Sequence, residues 1–227
     1  MKKLLLVFVT MVVVTVTGTS FRSPEMPPKL YPELESYFNS ISKDEYIKSH
    51  YGSLEQIKLD ISYSSLDYGY WNIVFYCSEN TFRSQASQVF AQTLCYARNH
   101  KKMKIYSAGL TSGEVNTKLI DYLKKIGYKV TESQKDGKTH YEVKFSDKAD
   151  PIILYSKTTA DKSIPVKDLT SVIVCDIEKE TECAELKTES RAVHLPFEKV
   201  TFPDEPAKME ATLKNIASEM LYVTSKK

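Results

Sequence analysis

Cys77 and Arg83 stand six positions apart in the segment Cys77-Ser78-Glu79-Asn80-Thr81-Phe82-Arg83-Ser84, directly after the apolar run Trp71 to Tyr76. A helical pattern begins at once after the segment. A strand, a loop and a helix N-terminus in succession make an anion cradle, because unpaired backbone N–H groups and the positive end of the helix dipole face the loop. A cysteine at the mouth of such a cradle is favoured as the thiolate, which is the nucleophilic form. An arginine returning over the loop can grip two oxygens of a tetrahedral oxyanion with its planar fork. The chemistry these types could do is nucleophilic attack on phosphorus or arsenic, giving a covalent thiol adduct. Cys-x5-Arg alone is weak evidence in a chain with 31 Lys and Arg and 4 Cys. Its place between strand and helix, with Ser84 next to the arginine, strengthens it.

Elements of the right kind surround the segment. Residues 71–76 read as a buried strand and 85–98 as a helix with Ala86, Val89, Phe90, Leu94 and Ala97 inward. Lys104 to Ser107 reads as a second strand, followed by Ala108-Gly109. Val115 to Ile126 has a helical stripe with Gly127 as its stop. Tyr141 to Phe145, Pro151 to Tyr155 and Ser171 to Cys175 have strand length. A last helix spans about Ala207 to Tyr222. Strands alternating with helices predict an α/β fold: a three-layer sandwich with a central parallel sheet of about four strands. In such sheets the site lies at the carboxyl ends of the strands, where Cys77 and Cys175 would both emerge.

Upstream, Lys2-Lys3 precede an apolar stretch from Leu4 to Val16 and the small residues Thr17 to Ser20. That pattern reads as a secretory signal over 1–20, and the apolar stretch is short for a bilayer span. The expectation is an exported protein, periplasmic or secreted, with no stable membrane insertion after cleavage. An uncleaved N-terminal anchor is the alternative. Residues 21–70 read as a linker and helical extension, with Leu30, Leu34, Tyr37, Phe38 and Ile41 at helical spacing and a capping-box pattern at Ser53 and Gln56. The main domain is expected over 71–227.

Composition narrows the partners. A formal charge of +2, with no basic stripe interleaved with aromatics, argues against nucleic acid. The 7 glycines form no nucleotide-binding loop, so no cofactor is expected. His194 stands without a ligand cluster, and no metal is expected. In an oxidising compartment Cys175 and Cys183, eight positions apart around a polar loop, could close a small disulfide, leaving Cys77 and Cys95 as thiols.

From Asn72 onward the chain resembles the low-molecular-weight protein tyrosine phosphatases and the related thioredoxin-coupled arsenate reductases. The resemblance rests on the Cys-x-x-Asn-x-x-Arg-Ser segment, on Ser107-Ala108-Gly109, on Val115-Asn116 opening a helix that ends in Lys125-Ile126-Gly127-Tyr128, and on Val172 to Cys175 with Cys183 downstream. It implies Cys77 as nucleophile and Arg83 as oxyanion ligand. It also implies Ser78, Glu79, Asn80, Thr81, Phe82 and Ser84 as the binding loop, with Asn80 shaping it and the Ser84 hydroxyl donating to Cys77. Glu79 departs from the small or neutral residue usual there, and Phe82 from the cysteine that reductases often carry. The family's acid is an aspartate followed by proline; the nearest match is Asp204-Glu205-Pro206, with Asp204 the candidate and Glu205 and Glu198 its neighbours. The expected substrate is a phosphate or arsenate oxyanion, and phosphotyrosine-like esters or a phosphotyrosine protein if a phosphatase. A reductase would use Cys77, Cys175 and Cys183 in turn. A third reading is a binding module that does no chemistry.

Overall fold

The computed structural model describes residues 29–67, 71–100, 102–183, 186 and 192–225, so the segment 1–20 expected to be a signal and residues 21–28 of the expected linker lie outside the described residues. Four parallel strands form the main sheet in the order β2-β1-β6-β7, with β1 Trp71–Cys77, β2 Met103–Gly109, β6 Leu169–Ile173 and β7 Ala192–His194. All seven residues of β1 are buried, as a continuous apolar run requires when both faces of a central strand are covered. The register sets Cys77 beside Gly109 and Tyr76 beside Ile173, so the strands end together on one edge.

The α/β architecture expected from the alternation is present, with two differences in detail. The run at 151–155 forms a strand, β5 Ile152–Leu154, but it joins a separate antiparallel sheet with β3 Lys129–Lys135 and β4 Lys138–Lys144. The β3–β4 turn is Asp136-Gly137, both at positive φ (52° and 72°), the backbone of a tight two-residue hairpin. The fourth parallel strand is β7, at three residues too short to show as a pattern.

The helix α3, Arg83–Ala97, packs on β1, β2 and the C-terminal helix α5, Pro206–Thr224. Helix α4, Thr117–Lys125, starts two residues later than its apolar stripe, because the Asn116 side chain accepts from the Lys118 N–H and caps it. In the N-terminal region α1, Pro32–Asn39, buries Leu34 and Phe38, and Tyr31 N–H donates to the Phe145 carbonyl. Helix α2, Tyr51–Asp67, buries Leu54 and Ile57. It follows a 3-10 turn at Lys48–His50, so Ser53 lies inside the helix rather than capping it, and Gln56 Nε2 donates instead to Asp60 Oδ1 at 2.7 Å. Leu34, Phe38, Leu54 and Ile57 belong to the same apolar cluster as β1 and α3. Among the described residues no helix is long and apolar enough to cross a membrane.

Candidate active site

Cys77 is the last residue of β1 and Arg83 the first of α3, so the loop between them is the crossover from the central strand. Its carbonyls are taken up from outside. Thr111 N–H donates to Ser78 O and Asn116 N–H to Thr81 O, each at 3.0 Å. Ser156 Oγ–H donates to Glu79 O at 2.8 Å, and Gln85 Nε2 to Asn80 O at 2.7 Å. In a trans peptide the next N–H points opposite to its carbonyl. With those four carbonyls engaged elsewhere, the N–H groups of residues 79–82 can face the space in front of Cys77, the arrangement an anion cradle needs.

Asn80 shapes it. Its φ of 53° is a left-handed conformation that asparagine tolerates, and its buried side chain bridges two partners. Oδ1 accepts from the Lys157 N–H at 3.1 Å, while Nδ2 donates to Ser84 Oγ at 2.8 Å. Ser84 Oγ in turn lies 3.0 Å from Cys77 Sγ. Gly109 supplies clearance: a Cβ there would come within 2.7 Å of Asn80 N and 2.8 Å of the Glu79 carbonyl carbon.

Arg83 is buried, and one edge of its guanidinium is already engaged. Nη1 and Nη2 donate to Glu180 Oε1 and Oε2 at 2.5 and 2.6 Å, and Nη1 also to the Phe197 carbonyl at 3.0 Å. Burial acts to raise the Glu180 carboxyl, but the hydrogen bonds and charge of Arg83 outweigh it and hold the group below the usual glutamate range. Cys175 and Cys183 are joined in a disulfide whose loop carries Glu180. Sequence reasoning missed Glu180; a carboxylate between the two cysteines was the signal available. It missed Ser156 and Lys157 as well, which reach the loop from a distant part of the chain.

The other expected residues are placed as follows. Ser78 and Thr81 are half-buried and Glu79 is exposed. Phe82 is buried and meets the Phe202 ring edge-on at 5.0 Å. That contact brings the segment before α5 against the loop, and Asp204 follows two residues later, exposed in a turn. Glu205 is committed locally: it accepts from the Thr201 N–H at 2.8 Å and pairs with Lys208. The Thr201 N–H, with Lys208, keeps its carboxyl below the usual range despite some desolvation. Glu198 and His194 are exposed, and the described residues contain no cluster able to hold a metal. Cys95 is a buried thiol, pushed up by burial and unsuited to attack. A cavity of about 790 Å³ reaches Cys95 and Phe145 but none of the Cys77 loop.

No protein-family model and no curated protein matches the chain. Solved structures do. A Drosophila arginine phosphatase shares 16% identity, with 66% of this chain and 93% of that one covered at a TM-score of 0.45. A low-molecular-weight phosphotyrosine phosphatase from Vibrio cholerae shares 11%, covering 67% and 93% at a TM-score of 0.43. A thioredoxin-dependent arsenate reductase from Corynebacterium glutamicum shares 15%, covering 81% and 79% at a TM-score of 0.39. Two of these solved structures are phosphatases and one is an arsenate reductase.

Proposed function

We propose that the protein is an exported cysteine-dependent phosphatase acting on phosphotyrosine-like aryl monoesters. The observation that carries the reading is the chain Lys157 N–H to Asn80 to Ser84 to Cys77, set at the mouth of a loop whose carbonyls are taken up by neighbouring groups. Cys77 Sγ attacks phosphorus, forming a P–S bond as the ester P–O bond breaks. The departing phenolate takes a proton from Asp204 or from water. A water then attacks phosphorus, the P–S bond breaks, inorganic phosphate leaves and the thiolate is regenerated. The inward N–H groups and Arg83 stabilise the charge on the equatorial oxygens at both steps. Export is supported by the Lys2-Lys3, Leu4–Val16 and Thr17–Ser20 pattern.

Arsenate reduction remains the second reading, and the bond between Cys175 and Cys183 bears on it. A reductase cycle starts from those two residues as thiols and ends with them joined. The bonded pair is therefore an end state for a reductase and a resting state for a phosphatase. Hydrolysis of p-nitrophenyl phosphate, and reduction of arsenate with a dithiol donor, are measured on wild type and Cys77→Ser. The expected result is phosphatase turnover that disappears in Cys77→Ser. Arsenate reduction without phosphatase turnover would select the reductase, and oxyanion binding without either would select a binding module.

A further inference from the structure

A guanidinium has five N–H donors. In Arg83, Nη1 spends both of its donors, one on Glu180 and one on the Phe197 carbonyl, and Nη2 spends one on Glu180. What is left over is Nε–H and the second Nη2–H, which lie parallel on one edge. Two parallel donors on a planar edge match two oxygens of a phosphate. Glu180 thus occupies the Nη1–Nη2 edge and leaves the Nε–Nη2 edge as the one that can take an oxyanion.

The Glu180 carboxylate has its own supports. Oε1 also accepts from the Asp176 N–H at 3.1 Å, and the Glu180 N–H donates to the Asp176 carbonyl at 2.7 Å. The Cys183 N–H donates back to the Glu180 carbonyl at 2.9 Å, and the Cys175–Cys183 disulfide closes the turn across its base. Lys199 ties Glu182 of the same turn to the segment that supplies the Phe197 carbonyl, with Nζ 2.9 Å from Oε1. A short polar segment is thereby fixed in a tight turn with its one buried carboxylate on Arg83.

We propose that Glu180 is a positioning residue for Arg83, and that the Cys175–Cys183 disulfide is the brace that keeps it in place. The proposal rests on the oxyanion reading of the Cys77 loop. It assigns the disulfide to the working form of the site, because opening it frees the turn, releases Glu180 and lets the guanidinium swing away from its oxyanion-facing pose. It also separates Glu180 from a competitor: a carboxylate that merely occupied the phosphate position would weaken binding, whereas one that orients the fork strengthens it.

The test measures how inorganic phosphate protects Cys77 from iodoacetamide, and how KM for p-nitrophenyl phosphate changes. The proteins are oxidised wild type, Glu180→Gln, Cys175→Ser with Cys183→Ser, and all three changes together. Both Glu180→Gln and the double serine variant should need at least about tenfold more phosphate, the equivalent of losing one charge-assisted hydrogen bond. KM should rise with it, and the triple variant should be no worse than Glu180→Gln alone. A merely structural role would lower the active fraction, hence kcat, and leave KM and the phosphate requirement where they were; that result overturns the proposal. So does tighter phosphate binding in Glu180→Gln. Should the double serine variant misfold, wild type treated with dithiothreitol replaces it. The reagent cleaves the Cys175–Cys183 bond by exchange and leaves as its cyclic disulfide, and unchanged phosphate inhibition after that cleavage overturns the brace. Protection in wild type without hydrolysis refutes the phosphatase reading and leaves this one standing; absence of protection refutes both.

Discussion

Asn80 donates from Nδ2 to Ser84 Oγ at 2.8 Å, and its amide cannot be turned over, because Oδ1 is held by the Lys157 N–H. In the next contact, Ser84 Oγ to Cys77 Sγ, either atom can donate when the sulfur is a thiol, and only the hydroxyl can when it is a thiolate. With its oxygen accepting from Asn80, the Ser84 hydroxyl has its proton to give to Cys77 Sγ, 3.0 Å away. A donated hydrogen bond stabilises the negative charge that the sulfur carries when it attacks.

Ser84→Ala should therefore slow the alkylation of Cys77 by iodoacetamide near pH 6 and slow phosphatase turnover. A hydrogen bond to a charged group contributes about 1.5–3 kcal/mol, so the loss should be about tenfold to a hundredfold. Asn80→Ala should match it or exceed it, since the loop also loses its anchor on Lys157. An unchanged alkylation rate in Ser84→Ala would show that the hydroxyl does not face the sulfur.

Gly109→Ala tests the clearance behind the loop. The added methyl would meet backbone atoms of Glu79, Asn80 and Thr111, none of which is a flexible side-chain end. Overpacking of this kind costs roughly 1–3 kcal/mol. The expected signature is loss of phosphate protection of Cys77 out of proportion to the fall in melting temperature. Full protection in a folded Gly109→Ala would mean that the loop can yield.

The acid is tested by leaving group. Asp204→Asn should slow hydrolysis of alkyl phosphates much more than that of p-nitrophenyl phosphate, because only a poor leaving group needs the proton. General acid catalysis is typically worth on the order of 10²–10⁴-fold. Glu205→Gln should not show that selectivity, since Glu205 is held ionised by Thr201 and Lys208. Equal small effects from Asp204→Asn on both substrates would remove Asp204 from the mechanism.

The motif from Cys77 to Ser84 was legible because everything it needs locally lies within eight consecutive residues between a strand and a helix. Strand β1 and helix α3 were legible for the same reason: one is a continuous apolar run, the other a clean helical stripe. Glu180 was not, because its partner Arg83 is 97 positions away and a charged residue in a polar loop has no local mark of burial. The hairpin β3–β4 carried its turn signal at Asp136-Gly137. Strand β3 is almost wholly exposed, however, and so lacks the apolar alternation that marks a half-buried strand. The loop between Cys175 and Cys183 reads as mobile from its polarity, yet ordered hydrogen bonds run through Asp176, Glu180 and Cys183.

Lys157 makes a stability prediction with a definite sign. Its side chain is buried with Nζ 4.3 Å from the centre of the Tyr155 ring, and burial pulls the ammonium down to about 8, against some support from Asp161. A lysine whose folded value lies below its unfolded one binds fewer protons in the native state, so stability should rise between about pH 8 and pH 10.4. Lys157→Met should abolish that rise and stabilise the protein at pH 7 by about 1–3 kcal/mol. Parallel pH profiles for the two proteins, by denaturant titration, would refute the assignment.

The bond between Cys175 and Cys183 has a consequence for how the chain acquires its structure in an oxidising medium. Two of the four cysteines must stay unpaired if Cys77 is to keep its thiol, and an early error would trap it. Closing the eight-residue separation favours Cys175–Cys183 over Cys77–Cys175, ~100 residues apart, by about 2 kcal/mol of loop entropy. Even the Cys77–Cys95 pairing is the longer closure. Closure of the Cys175–Cys183 pair withdraws from exchange the two sulfurs that would otherwise compete for the nucleophile. Chain spacing thus biases the pairing of the cysteines toward the one bond that leaves Cys77 its thiol.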